Sequence, residues 1–240
     1  VAFDRVPILM YHRLGEVRKE SIVPGHYVAP SLFDRQLRLL RSLRMESISL
    51  ETMRRGFLGE VALPRRPVVV TFDDGYESFS TLGMPLLRKY GLGATVFLVS
   101  ENVGGLNEWD RAIGDVVEPL MSRDQILDAD RQGIEFGAHT RTHARLSEIS
   151  SDAARSEIRG SKEDLESWIG RPIDYFCYPY GAQTDAVRGL VREAGFLGAT
   201  GTAMHGNQPD MDPYLWGRIN VRYNYTALRL LRRILKARRS

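Results

Sequence analysis

Cysteine is almost missing from this sequence: 240 residues contain one, Cys177, so no disulfide can form within the chain. That leaves the compartment open, since a periplasmic or secreted protein can lack disulfides. Long hydrophobic runs are missing as well. No stretch reaches the roughly 18–20 apolar residues that cross a bilayer, and no N-terminal segment reads as a signal peptide. The chain starts with Val rather than Met, which points to a trimmed or mature form and leaves a lost targeting segment open. There is no Gly-x-Gly-x-x-Gly and no phosphate-loop sequence, so nucleotide chemistry has little support. Internal repeats and linker-like stretches are lacking. The C-terminal end is one-signed: Ala227–Ser240 holds six Arg and Lys residues and no acid. The formal net charge is +3, so without those six the body carries −3. A basic body with interleaved aromatics, the footprint of nucleic-acid binding, is not there, and nucleic acid is not an expected partner.

What is present suits a globular fold. Hydrophobic residues make up 43% and charged residues 26%, enough apolar material for a large core. Val6–Tyr11 reads as a first strand ending at His12, and residues 13–30, with Gly15, Pro24, Gly25 and Pro30, as a long loop. Ser31 and Asp34 suggest a capping box for a helix carrying Phe33, Leu37 and Leu40 on one face. Ser47–Leu50 is a short strand candidate. A helix is expected over Met84–Tyr90 with Gly91 as its stop, then a strand over Ala94–Val99 and a loop over 101–121. Ser122 and Gln125 form a second capping box, and Gly133 closes its helix. Strands over Ile134–Ala138 and Tyr175–Tyr178 flank a helix over 151–169. Thr184 caps a helix through Ala194, and Phe196–Thr202 and Trp216–Val221 are the last strands. A basic helix is expected over about 226–240. Alternating strands and helices without a linker predict one parallel α/β domain across residues 1–240, a barrel rather than an open sheet.

Three strand ends carry chemistry. Val68-Val69-Val70-Thr71-Phe72 stops at Asp73-Asp74-Gly75, two carboxylates where a barrel strand opens at its mouth. Neighbouring carboxylates repel unless a cation or a shared proton relieves them. A metal held by one, with the other left as a base, is one solution; a loop with an Asp cap and a Gly turn is another. His139 and His143 lie four apart beyond the Ile134–Ala138 strand, and imidazole with carboxylate suits zinc. Thr140 follows His139, so this is not the zinc-protease pattern with its neighbouring Glu base. A carboxylate from Asp73-Asp74 could complete such a set. Tyr178-Pro179-Tyr180-Gly181 ends another strand. Proline fixes the backbone there, so the Tyr180 amide either serves an oxyanion or belongs to a plain turn.

Together, Thr71-Phe72-Asp73-Asp74-Gly75-Tyr76, His139-Thr140-x-x-His143 and Tyr178-Pro179-Tyr180-Gly181 resemble the first three motifs of the polysaccharide deacetylases, the NodB-homology group or carbohydrate esterase family 4. The motifs stand in the family's order. The resemblance implies a distorted, TIM-like (β/α)7 barrel and a divalent metal, usually Zn2+, with Co2+ or Ni2+ as alternatives. It implies hydrolysis of N-acetyl groups on an amino-sugar polysaccharide. Carried over, Asp73 is the general base, Asp74, His139 and His143 bind the metal, and the Tyr180 amide stabilises the oxyanion.

Two departures follow. Many members carry an Arg two residues before the motif-three proline; here that residue is Cys177, with Arg218 as a possible substitute for bracing the base. Many place an acid His near the C-terminus, and this chain has none after His205. The opening Pro7-Ile8-Leu9-Met10-Tyr11-His12 instead resembles the circularly permuted branch, which includes exopolysaccharide deacetylases acting on poly-β-1,6-N-acetylglucosamine. In that branch the acid lies in an N-terminal Tyr-His, which makes His12 the acid. Tyr178, Trp109, Trp216 and Arg218 are further candidates for contact with substrate, the two tryptophans as sugar platforms or as core. His26 and His205 read as loop residues. The expected partner is an N-acetylated glycan, poly-N-acetylglucosamine first, then peptidoglycan, chitin oligomers or another amide. A catalytically silent carbohydrate-binding module is the contrasting class. The resemblance favours the cell envelope, periplasm or exterior, and the basic tail adds weak contact with a membrane surface.

Overall fold

Three consecutive valines are stable in a strand only if both of its faces are covered, and Val68, Val69 and Val70 are fully buried in the strand Pro67–Phe72. The computed structural model describes residues 5–238. Its strands are β1 (Ile8–Tyr11), β2 (Arg13–Leu14), β3 (Tyr27–Val28), β4 (Glu46–Ser47), β5 (Pro67–Phe72), β6 (Thr95–Leu98), β7 (Glu135–Ala138), β8 (Tyr175–Cys177), β9 (Gly198–Thr200) and β10 (Ile219–Asn220). Its helices are α1 (Pro30–Ser42), α2 (Leu50–Phe57), α3 (Met84–Tyr90), α4 (Glu108–Arg111), α5 (Arg123–Arg131), α6 (Ser151–Ile169), α7 (Asp185–Glu193) and α8 (Ala227–Ala237).

The main sheet runs β10-β1-β5-β6-β7-β8-β9, with every pairing parallel. β4 borders the first two residues of β5 and β6 the last two. The two ends of the sheet approach each other through one segment. Trp216 donates to Ala199 O and accepts from Gly201 N, and β10, three residues on, pairs with β1. The result is the distorted seven-stranded, TIM-like barrel expected from the sequence.

Side-chain parity divides the core. Val68, Val70 and Phe72 face the surrounding helices in one apolar cluster, while Val69, Ile8, Phe97, Tyr175, Cys177 and Trp216 belong to a second. Alternation along a strand carries the second set onward: Val69 leads through Thr71 to Asp73, and Ile8 through Met10 to His12. The chemistry-bearing residues therefore stand on top of this inner cluster.

Local chemistry explains most of the elements. Ser122 and Gln125 exchange both bonds of a capping box at α5, Gly91 ends α3 in the left-handed conformation, and Thr184 caps α7. The expected Ser31–Asp34 box is not formed. α1 starts earlier, with Pro30 in its first turn behind Ala29, and proline supplies the helical φ without a side-chain cap. Residues 13–30 are not all loop, since β2 and β3 pair there. The strand expected over Ser47–Leu50 is cut short because the Ser49 side chain caps α2, a helix the sequence pattern did not suggest. The 101–121 loop contains the short α4. α8 is capped by Thr226, and residues 239 and 240 of the expected basic helix lie outside the described residues, as do residues 1–4.

Candidate active site

The three motif-bearing strand ends converge on one cavity of about 330 Å³. Asp73, Asp74, His139, His143, Tyr178, Tyr180, His12 and Trp109 line it. The backbone is bent to achieve this. Five non-glycine residues have positive φ among the described residues, and four of them are here: Asp74 (72°), Thr140 (66°), His143 (63°) and Tyr180 (59°). Each costs about 1–2 kcal/mol in a residue with a Cβ, so the surrounding structure must hold them. At Asp74 the turn breaks the strand's alternation, which lets both neighbouring carboxylates reach the same cavity.

The two carboxylates have different surroundings. Asp73 is gripped by Arg218: Nη1 donates to Oδ1 at 2.6 Å and Nη2 to Oδ2 at 2.7 Å. Arg218 is fully buried and also donates to Thr71 Oγ1, Gly201 O and Cys177 Sγ. Burial alone would raise the pKa of Asp73; the Arg218 charge and its hydrogen bonds outweigh that and hold the carboxyl below its usual range. Arg218 thus has no arm left for substrate, and the expectation that it contacts substrate is corrected: it braces Asp73, next to the Cys177 side chain.

Asp74 faces the histidines. Its Oδ1 lies 3.4 Å from His139 Nε2 and 3.3 Å from His143 Nε2, yet this buried oxygen has no hydrogen-bond partner. His139 Nδ1 is 2.7 Å from Cys177 O. A carbonyl only accepts, so Nδ1 carries a proton, and in the neutral ring Nε2 presents a lone pair to the carboxylate. Two acceptors aimed at each other in a buried site call for a positive charge between them. Asp74 Oδ1 and the two imidazoles lie within 4.8 Å of one another, and their N/O donor set suits a divalent cation. A proton competes for the same place: burial works against it, but the neighbouring Cys177 and Asp74 raise the His139 pKa well above its ordinary value. His143 is steadied from outside, with Nδ1 3.0 Å from Tyr180 Oη and its ring stacked on Trp109 at 4.5 Å.

His12 reaches the cavity from β1 with Nε2 3.9 Å from Asp73 Oδ2. The two are close neighbours on the same side of the cavity. Burial, then the charge of His26, push the His12 imidazole down to about 3. His26 stacks flat on His12, with ring centroids 4.2 Å apart, and also lines the cavity. From the sequence alone it reads as a loop residue. It is one, but β2 and β3 fold that loop back over the site; the only local signal was a second histidine in a segment following Tyr-His. Arg145, over the Tyr180 ring at 4.0 Å, was likewise missed. His205 lies elsewhere, against Gly217.

Of the candidates for substrate contact, Trp109 lines the cavity but gives one face to His143. Tyr178 is buried, and its hydroxyl has no partner. The ring packs with Phe176 in the helix-facing cluster, and the charges around the hydroxyl are those of Arg188, Asp212 and Arg192, so the expectation that Tyr178 contacts substrate through its side chain is corrected. Trp216 is corrected: it is 1% exposed, packed against Tyr175 below the site, and fills the inner core as large aromatics commonly do.

Comparison with known proteins gives a consistent picture. A family model described as polysaccharide deacetylase matches residues 60–199. The Bacillus subtilis protein YxkH is 22% identical over 219 residues, covering 90% of this chain and 71% of that protein. The Staphylococcus aureus poly-beta-1,6-N-acetyl-D-glucosamine N-deacetylase is 22% identical over 182 residues, 72% of this chain; the match spans 60% of that protein. The Streptococcus pyogenes deacetylase PplD, solved in complex with acetate, shares the fold with a TM-score of 0.84 at 23% identity, over 97% of this chain and 99% of that one.

Proposed function

We propose that this chain, which belongs to the polysaccharide deacetylase family, hydrolyses N-acetyl groups on an amino-sugar polymer with the help of one divalent cation. One observation carries the reading. The buried, unpartnered Asp74 Oδ1 faces His139 Nε2, whose ring has its other nitrogen committed to Cys177 O. Asp74, His139 and His143 would hold the cation, Zn2+ in the first instance, with Co2+ or Ni2+ as alternatives. Bound there, it supplies a Lewis acid that polarises an acyl oxygen and acidifies water toward neutral pH.

The remaining roles belong to the chain. Asp73, kept ionised and aimed by Arg218, takes a proton from the attacking water. The Tyr180 amide is the donor proposed for the oxygen that gains charge. The departing amine needs a proton. His12, whose Nε2 lies 3.9 Å from Asp73 Oδ2, is the residue proposed to pass on the proton taken from water; at that distance the hand-over to His12, and from it to the leaving nitrogen, runs through one bridging water. The products are acetate and a free amino sugar. A poly-β-1,6-N-acetylglucosamine chain is the first substrate to try, because a relative of that name matches 72% of this chain.

The test is acetate release from poly-N-acetylglucosamine, chitin oligomers and peptidoglycan by the full chain, before and after chelation. The expected result is release from at least one polymer, loss of release when the cation is stripped, and recovery on adding Zn2+, Co2+ or Ni2+. No release from any N-acetylated polymer, or full release by protein shown to be free of cation, would overturn the reading.

A further inference from the structure

We propose that the outward face of α8 docks on a lipid bilayer carrying anionic headgroups. This inference does not depend on the proposed chemistry. Helix α8 buries Leu230, Ile234 and Ala237 against the body. The helical repeat then turns two stripes outward. One is apolar, with Leu228 at 57% and Leu235 at 42% exposure. The other is cationic: Arg229, Arg232 and Lys236 are all exposed. Tyr223, 46% exposed, stands just before the helix.

The contrast is with the cations of α2, α6 and α7, which have acidic partners. On α6, Arg155, Arg159 and Lys162 pair with Asp152, Glu163 and Glu166. On α7, Arg188 and Arg192 pair with Asp185 and Asp212, and on α2 Arg54 pairs with Glu51. Among the described residues, no ion pair forms to Arg229, Arg232 or Lys236, and α8 itself contains no acid. Arg229 has only the Tyr225 ring, at 4.7 Å.

A cationic stripe beside exposed leucines, with an aromatic residue at one end, suits a helix lying in the headgroup layer. A soluble polyanion would use the cations and leave the leucines in water. The body, mildly acidic overall, adds no attraction of its own, so binding would be confined to this face. The helix also fixes the orientation. It starts a few residues after Asn220, which lines the cavity, and ends where Arg238 reaches Pro67 O at the opposite end of β5. It therefore runs along the barrel's side, and docking would turn the cavity mouth along the bilayer, open to a polymer lying at the surface.

The experiment is sedimentation of the full chain with vesicles of phosphatidylcholine containing phosphatidylglycerol, against phosphatidylcholine alone. Binding is expected only to the anionic vesicles and is expected to weaken as salt is added. Reversing three charges together (Arg229→Glu, Arg232→Glu, Lys236→Glu) is expected to lower partitioning about 10²-fold or more. The pair Leu228→Ser and Leu235→Ser should lower it too, and these positions are exposed, so thermal unfolding should stay close to wild type. Equal binding to neutral vesicles, or no binding to anionic vesicles at low salt, would overturn the proposal. So would a leucine pair that binds normally while soluble polyphosphate displaces the protein, which would point to a soluble polyanion.

Discussion

Asp73 and Asp74 are adjacent in sequence yet held by different means. Arg218 neutralises one through two hydrogen bonds, and two histidines wait at the other. Asparagine separates the roles while keeping the shape. Asp73→Asn is expected to keep the cation and lose about 10²–10⁴-fold in turnover, since an amide cannot take the water's proton. Asp74→Asn is expected to lose the cation itself. Metal content measured beside acetate release decides between them, and equal cation loss in both variants would show the roles to be misassigned. His12 makes a prediction about stability. Its pKa in the folded chain is about 3, against an ordinary 6.5. As pH falls below 6.5 the unfolded chain takes up a proton that the folded chain does not. Stability contributed by neutral His12 is thus complete above pH 6.5 and is lost as pH falls toward 3. His12→Gln removes this dependence, so its stability relative to wild type should rise by about 1–2 kcal/mol between pH 7 and pH 5. Urea denaturation at the two pH values reads the difference, and parallel losses in the two proteins would refute the assignment.

At the scale of elements, the turn from β7 to α6 carries the two histidines. It contains two left-handed residues, Thr140 and His143, neither of them glycine. Glu157 on α6 offsets that strain by accepting from Arg141 N, Thr142 N and Thr142 Oγ1 at 2.8–3.0 Å. A long helix formed for its apolar stripe of Ala154, Ile158 and Leu165 therefore also fixes the spacing of His139 and His143. Removing this support should loosen the pair without unfolding the barrel. Glu157→Ala is expected to weaken cation affinity about 10–100-fold, the usual cost of losing a group that orients ligands. Competition against a chromophoric chelator measures it, and wild-type affinity would show that the turn holds itself.

For the whole molecule, the cavity is a property of the closed ring and not of the best-matched stretch. Residues 60–199 bring Asp73, Asp74, His139, His143, Tyr178 and Tyr180. His12 comes from the end of β1, and Arg218 precedes β10, both outside that range. β1 lies between β10 and β5, with Ile8, Leu9 and Tyr11 fully buried. A fragment of residues 60–199 should therefore fail to unfold cooperatively and should be cleaved rapidly by protease. Each fully buried side chain it loses as a partner is worth about 1.5–3 kcal/mol, against the 5–15 kcal/mol that keeps a typical domain folded. A sharp thermal transition from that fragment would show that the ring is not required.

Local sequence was enough for the long buried strands, because continuous β-branched runs such as Val68–Val70 have no stable state except between two covering layers; the two-residue strands β2 and β3 were not legible in it. It also determined the three polar motifs at strand ends, and the caps of α5 and α7, whose partners lie within three residues. Periodicity is local, so such features can be read without the fold. The tertiary structure decided what depends on distant contacts. It made Arg218 a brace for Asp73 across 145 positions, laid His26 on His12, and put Trp216 into the inner core. In each case a side chain with several possible uses was assigned one by whichever strand or loop the closure of the barrel placed beside it. Only the closed ring fixes those neighbours.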